Sequence, residues 1–227
     1  MIKRLRILGV VLAVFGLVFV AAGAYAFVKT QEGYRSLQAF SAAQDVRLTY
    51  NESGQLVDRG ETAEAQAIMS LLTNDWAYPV VAGDLNPNDP LVNTPSEYMY
   101  QMATIAYHTL HGTQTVVLPA DVEYKGTVYT AGEYQFAVNG RYFSDFDRSN
   151  PIEGPARDKA WSGTAHALIA NLGVGTVTAS SLQIGLGLAA LFAGVGAFGL
   201  LSGLGLVWAT RVQEERVPKF AVQPMPA

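Results

Sequence analysis

The chain has three histidines, His108, His111 and His166, and no cysteine. His108 and His111 stand three apart, a spacing that makes them neighbours on one helix face. His166, from a second helix, would complete a three-nitrogen site for zinc or copper, with Glu97 or Asp147 as further donors. The same residues have a plainer use. A histidine near a helix C-terminus, as His111 is, interacts well with the last carbonyls. His108 shares a face with Glu97, Gln101 and Thr104 that reads as solvated. Without cysteine there is no disulfide framework, thiolate zinc site, iron–sulfur cluster, cysteine nucleophile or lipoprotein-type anchor.

Other constellations are weaker. Asp84-Leu85-Asn86-Pro87-Asn88-Asp89 places oxygens at alternate positions, as the first half of a calcium loop does. Asp89 stands where that loop needs glycine for its sharp turn, however, and Pro95 where it needs a bidentate glutamate. Asx residues and proline also make turns on their own account. Asp145 and Asp147 are paired carboxylates, and the adjacent Arg148 predicts a surface ion pair. Ser162 and Ser181 lack a base partner and a G-x-S-x-G context, so a serine hydrolase is not indicated. The aromatics, among them Trp76, Tyr78, Tyr98, Tyr100, Tyr107, Tyr142 and Phe143, could stack on sugars or hold a lipid, but the commoner use is core and strand faces.

The elements that must position these residues begin with two uncharged runs. Only 15% of the residues are charged, against roughly 25% in soluble chains. Neither Ile7 to Val28 nor Leu182 to Thr210 contains a charge, and each exceeds the roughly 20 residues needed to cross a bilayer. This pattern excludes a cytosolic enzyme. Lys3, Arg4 and Arg6 precede the first run and Arg211 follows the second, so both ends read as cytoplasmic. Trp208 sits where an aromatic belt would anchor the inner interface.

The expected organisation is residues 1–6 cytoplasmic, 7–28 a first transmembrane helix, 29–181 an extracytoplasmic domain, 182–210 a second helix and 211–227 a cytoplasmic tail. Val217 to Ala227, with three prolines, reads as loose. A basic start and the small residues Ala22, Ala24 and Ala26 also fit a cleavable signal, although the run is longer than a usual signal core. Gly9, Gly16 and Gly23 recur every seven residues. The second run holds Gly185, Gly187, Gly194, Gly196, Gly199, Gly203 and Gly205, with a Gly199-x-x-x-Gly203 pair, and Ala189, Ala193 and Ala197 extend a small-residue stripe from Gly185. Such faces allow close approach of the other helix or of another subunit, in a homo-oligomer or a mixed complex. No ionisable residue lies in either run, which speaks against a proton or ion path.

Between the runs, nine basic residues face seventeen acidic ones from Lys29 to Ser181, an acidity that makes nucleic acid an improbable partner. Asn51-Glu52-Ser53-Gly54 marks a turn, and Glu61 to Leu72 carries helical spacing. Thr94-Pro95-Ser96-Glu97 is a capping box with proline at the first position, predicting a helix to about Leu110 that stops at Gly112. Thr115 to Val138 changes to strand period and predicts an antiparallel β-meander. A last helix is expected from near Pro155 to Leu172, ending at Gly173. The fold class is therefore two transmembrane α-helices flanking a small α+β domain.

Four stretches carry a resemblance: Leu48-Thr49-Tyr50-Asn51, Asn88 to Tyr100, Tyr107-His108-Thr109-Leu110-His111-Gly112, and Trp161-Ser162-Gly163-Thr164-Ala165-His166. They resemble uncharacterised two-pass membrane proteins of high-GC Gram-positive bacteria, some labelled aromatic ring-opening dioxygenase. The resemblance covers most of the chain and carries over no functional residue. The expected function is a non-enzymatic envelope protein, without cofactor, that presents an acidic extracytoplasmic domain for assembly or interaction. The alternative is a membrane-anchored metal- or ligand-binding domain using His108, His111 and His166.

Overall fold

The computed structural model describes residues 2–216, and its contacts divide into two compact units. One joins residues 2–35 with 181–216, and the other is residues 36–180. The tail expected at Val217 to Ala227 lies outside the described residues.

The first unit is made from two helices, α1 (Ile2–Gln44) and α5 (Gly163–Arg216). Both are long and apolar enough to cross a membrane, with mean hydropathy of 2.7 and 2.1 in their most apolar windows. Each helix outruns the uncharged stretch that announced it. Past Val28 nothing breaks α1, and an ion pair at 2.7 Å between Lys29 and Glu32, one turn apart, favours its continuation. The outward faces are apolar: Phe15 is 61% exposed and Phe198 75%.

The inward faces meet along a seam of small residues. A Cβ at Gly9 would come 2.8 Å from the carbonyl oxygen of Gly203, and one at Gly16 would come 2.6 Å from that of Gly196. A Cβ at Gly23 would lie 2.8 Å from the backbone nitrogen of Ala193, and one at Gly185 would lie 2.6 Å from Oγ1 of Thr30. The seven-residue series Gly9, Gly16, Gly23 thus continues to Thr30, which is buried. As α1 positions rise, their partners on α5 fall, so the helices are antiparallel. The glycine faces expected to serve either the other helix or another subunit are used within the chain. Gly187, Gly194 and Gly205 have nothing within 4 Å and lie off the seam.

The second unit is a small α+β domain with antiparallel strands. Helix α2 (Thr62–Ser70) runs into a π-helical turn, Leu71–Asp75, and then a loop with one 3-10 turn, Ala82–Asp84. Helix α3 (Pro95–Leu110) starts as its sequence predicts. The Thr94 hydroxyl accepts from the Glu97 backbone, the Glu97 side chain accepts from the Thr94 backbone, and Pro95 takes the first turn. Strands β1 (Thr113–Leu118), β2 (Val122–Tyr124), β3 (Thr127–Tyr129) and β4 (Gly132–Ala137) follow. They do not form the expected meander. β2 pairs with β3, and β1 pairs with β4, so one hairpin nests inside another. Lys125 and Gly126 make the tight turn with both φ values positive, 50° and 77°, as a two-residue turn between right-twisted strands requires. Where the pairing breaks, residues 119–121 face 130–131, and Pro119 has no N–H to donate. There the Asp121 carboxylate accepts from the Ala131 N–H at 2.7 Å, replacing a ladder bond.

Strand period decides what the hairpin buries. Val116 and Leu118 point inward against Ile152 and Ala156, while Val117 is exposed. Helix α4 (Glu153–Ala160) supplies Ala156. The single helix expected from Pro155 to Leu172 is instead two, because the chain turns at Trp161 and the Ser162 hydroxyl accepts from Ala165 N–H to start α5. Gly173 does not end that helix, which continues through it. A second core cluster gathers Leu71, Ala106, Leu110, Val138, Phe146 and Trp161.

Overpacking a close contact costs about 1–3 kcal/mol. A Gly16→Val variant should therefore lower the unfolding free energy in detergent by that amount, while Gly194→Val, off the seam, should leave it within error. Equal shifts for the two would contradict the seam.

Candidate functional site

The three histidines keep different hydrogen-bond or ion-pair partners, and the Tyr107 ring stands against both His108 and His111. His108 Nε2 on α3 lies 2.8 Å from Oδ2 of Asp58, in the turn at Asp58–Glu61, at ion-pair distance but without the alignment of a hydrogen bond. His111 Nδ1 sits 2.9 Å from the Tyr107 carbonyl, with its ring 4.2 Å from that of Tyr107. His166 Nδ1 is 3.1 Å from the Ser162 carbonyl, and its ring meets Phe143 edge-on at 5.1 Å. Each of the last two is held by its own helix, one turn back. Among the described residues, no group of three or more His, Asp or Glu side chains could hold a metal ion.

The two carboxylates considered beside them are also engaged elsewhere. Glu97, 1% exposed, accepts through Oε2 from the backbone N–H of Asn93 at 3.0 Å, the N–H of Thr94 at 2.9 Å and the Thr94 hydroxyl at 2.8 Å. Burial pushes its carboxyl above the ordinary value, against the opposing pull of those three donors. On the α3 face bearing Glu97, that residue is buried and Gln101, Thr104 and His108 are half-buried, so the face is less solvated than its composition suggests. Tyr50 and Tyr100 add hydroxyls that are buried without a hydrogen-bond partner. Burial raises the Tyr100 hydroxyl, with Asp58 and Tyr50 adding to the rise. Asp147 accepts from the Lys125 ammonium at 2.8 Å and the Tyr124 hydroxyl at 2.9 Å, which hold it below the ordinary carboxylate value. The ion pair expected with Arg148 is thus made with Lys125, and Arg148 lies over the Phe143 ring. Asp145 instead accepts from the Tyr142 N–H.

The calcium-like segment makes a turn. The Asn86 side chain accepts from Asn88 N–H at 3.0 Å, and the Asn86 carbonyl accepts from Asp89 N–H at 3.0 Å. The Asp84 carboxylate reaches Ser96 N–H at 3.4 Å, at the start of α3. Of the large aromatics, Tyr98, Tyr100, Phe146 and Trp161 are buried in the core, Trp76, Tyr107 and Phe143 pack against it half-buried, and Tyr142 is exposed.

What sequence spacing did not indicate is a cavity of about 220 Å³ in the second unit. Its apolar walls come from Phe40, Val46, Val92, Ile105, Leu168 and Leu172. Ser41 and Tyr98 also line it, and their hydroxyls bond each other at 2.7 Å. Gln44, Gln101 and Asn171 contribute neutral amides, and no charged side chain is among the lining residues described. Four separate stretches of chain build this cavity, so no local motif announces it.

Removing the Glu97 carboxylate would orphan the buried Asn93 N–H and the part-buried Thr94 N–H, each costing about 1–3 kcal/mol. Glu97→Ala should thus lose about 2–6 kcal/mol in denaturant titrations. Because the folded carboxyl titrates above its ordinary 4.5, the folded state binds the proton more readily. Its contribution to stability then falls as pH rises from about 4.5 through the folded pKa, and is flat above it. Loss of that slope in Glu97→Ala is the expected result. For the Asp58–His108 pair, a double-mutant cycle with alanine should return a coupling of about 1 kcal/mol, and additive effects would show the contact to be idle.

No protein-family model matches the chain, and neither a curated protein nor a solved structure matches it, so its function is argued from these residues alone.

Proposed function

We propose that the chain is a two-span membrane protein whose two uncharged helical segments form an antiparallel hairpin, and which presents residues 29–181 outside the cytoplasm for assembly or interaction. The observation that carries this reading is the seam from Gly9–Gly203 to Thr30–Gly185. Hydrocarbon provides no hydrophobic drive between helices, so association there relies on close backbone approach, and small residues stand where the two backbones come closest. Orientation follows from Lys3, Arg4 and Arg6 before the first segment and Arg211 after the second.

A non-enzymatic role is supported by how the candidate chemical groups are used. Glu97 closes a helix cap, Asp147 neutralises Lys125, and His111 and His166 bond carbonyls of their own helices. The domain surface is acidic, which suits a cationic or cation-bridged protein partner and repels polyanions.

Because the chain has no cysteine, single cysteines report without background. Cysteines replacing Ser53 and Ser144 should react with an impermeant thiol reagent in intact cells, and one replacing Gln223 should react only after lysis. Labelling of Gln223→Cys in intact cells would overturn the orientation. For assembly, mild detergent extraction should yield a species heavier than one chain, and a strictly monomeric protein without partner would contradict the proposed role.

A further inference from the structure

We propose that a groove beside the helix seam holds one acyl chain of an anionic phospholipid, whose phosphate rests on Arg35. The inference rests on the membrane reading above and goes beyond it by naming a site and its ligand.

The groove is what the seam leaves unfilled. On one flank Phe19 and Phe192 close it, their rings meeting edge to face at 5.8 Å. On the other flank most side chains are small. A groove of about 500 Å³ opens there between Val20, Gly23, Ala24 and Phe27 of α1 and Leu186 and Ala190 of α5. Every lining residue is apolar. At the roughly 30 Å³ that a water-sized group takes in a condensed phase, this is room for about sixteen such groups, the bulk of one acyl chain. Left unfilled in hydrocarbon, the groove would forfeit the dispersion contacts of its walls.

Depth selects the occupant. The lining residues lie within the uncharged runs 7–28 and 182–210, in the half of each run nearer residues 29–181. Val20 to Phe27 is two turns of helix, about 10 Å, against roughly 30 Å for the whole hydrocarbon core. A groove confined to one leaflet suits a lipid tail, which ends near the midplane. A crossing helix from a second copy would lie along both halves.

Charge fixes the other end. Arg35 stands eleven residues after Ala24, about three full turns, and so on the groove's side of α1. It is exposed, and its side chain makes no ion pair or hydrogen bond among the described residues. Lys29, nine residues after Val20, lies on the far side and is already paired with Glu32. From Val20 to Arg35 is fifteen residues, about 22 Å of helix, and half a bilayer with its headgroups is about 20–22 Å. A helical side chain leans toward its helix N-terminus, which in α1 is toward the membrane. The Arg35 guanidinium thus stands at headgroup depth, where a phosphate oxygen can accept from its N–H groups.

The test extracts the full chain into mild detergent from vesicles of equal phosphatidylglycerol and phosphatidylcholine, and weighs it by native mass spectrometry. One phosphatidylglycerol should stay on each chain, preferred over phosphatidylcholine by about fivefold. Arg35→Gln should abolish the preference. Ala190→Phe should fill the groove and release the lipid. Val195→Phe, two residues on from the groove-lining Ala193 and so facing away, should keep it. Equal retention of the two lipids by the unsubstituted chain would overturn the proposal, as would phosphatidylglycerol held by a folded Ala190→Phe. A lipid-free dimer that Ala190→Phe makes monomeric would give the groove to a second copy and overturn it too. A chain that enters the vesicles and keeps no lipid overturns the site alone, and a chain that does not enter them overturns the membrane reading with it. The ratio of the two lipids on the unsubstituted chain decides even where Ala190→Phe does not fold.

Discussion

Everything in the first unit depends on one constraint: two backbones approach closely enough that a methyl group would not fit between them. At Gly16 the space for a Cβ is taken by backbone atoms of Gly196, Gly199 and Leu200. Backbone cannot step aside as a side chain does, so the seam tolerates only small residues at its contact points. In return, the close fit gains dispersion contacts along the length from Gly9 to Thr30, which in hydrocarbon is the main attraction left. Glycine in a helix interior costs about 1 kcal/mol relative to alanine in water. That so many stand in these helices is explained where they touch, and is unexplained at Gly187, Gly194 and Gly205.

The second unit solves a different problem. It has no disulfide to constrain it and only short strands, so helix α3 organises the domain. Its capping box fixes the entry, its Ala103, Ala106 and Leu110 enter the core, and its His108 reaches the turn before α2. Polar groups that sequence alone offered as chemistry are thereby spent on architecture. The buried Glu97 is the clearest case: three donors converge on one carboxylate oxygen, and the cost of desolvating it is offset by closing the helix end and the Asn93 loop together.

Legibility from sequence varied with the range of the interaction. The start of α3 was readable because capping is local: Thr94, Pro95 and Glu97 decide it within four residues. The seven-residue glycine series was readable for the same reason, although its partner became plain only from the packing on Gly196 and Gly203. The β region showed strand period but misled on pairing. Short runs separated by turn residues look like successive hairpins, and nothing local says that Pro119 and Asp121 interrupt one arm of a longer hairpin. Gly173 read as a stop because glycine usually is one, yet in a helix continuing into an apolar segment the backbone keeps its bonds internally. For the histidines the missing signal was tertiary, since spacing placed His108 beside His111 but could not place Asp58 beside His108. The cavity had no signal at all, being assembled from α1, the Val92 loop, α3 and α5.

The central claim is that the two helices lie in hydrocarbon with their glycine faces together and their large apolar faces outward. Spin labels placed singly at Phe15 and Phe198, in the full chain reconstituted in phospholipid vesicles, test it most directly. Both should collide freely with dissolved oxygen, which concentrates in the bilayer, and scarcely with a water-soluble nickel chelate. A control at Val117, exposed on β1, should show the reverse. Nickel accessibility at Phe15 or Phe198 equal to that at Val117 would contradict the account.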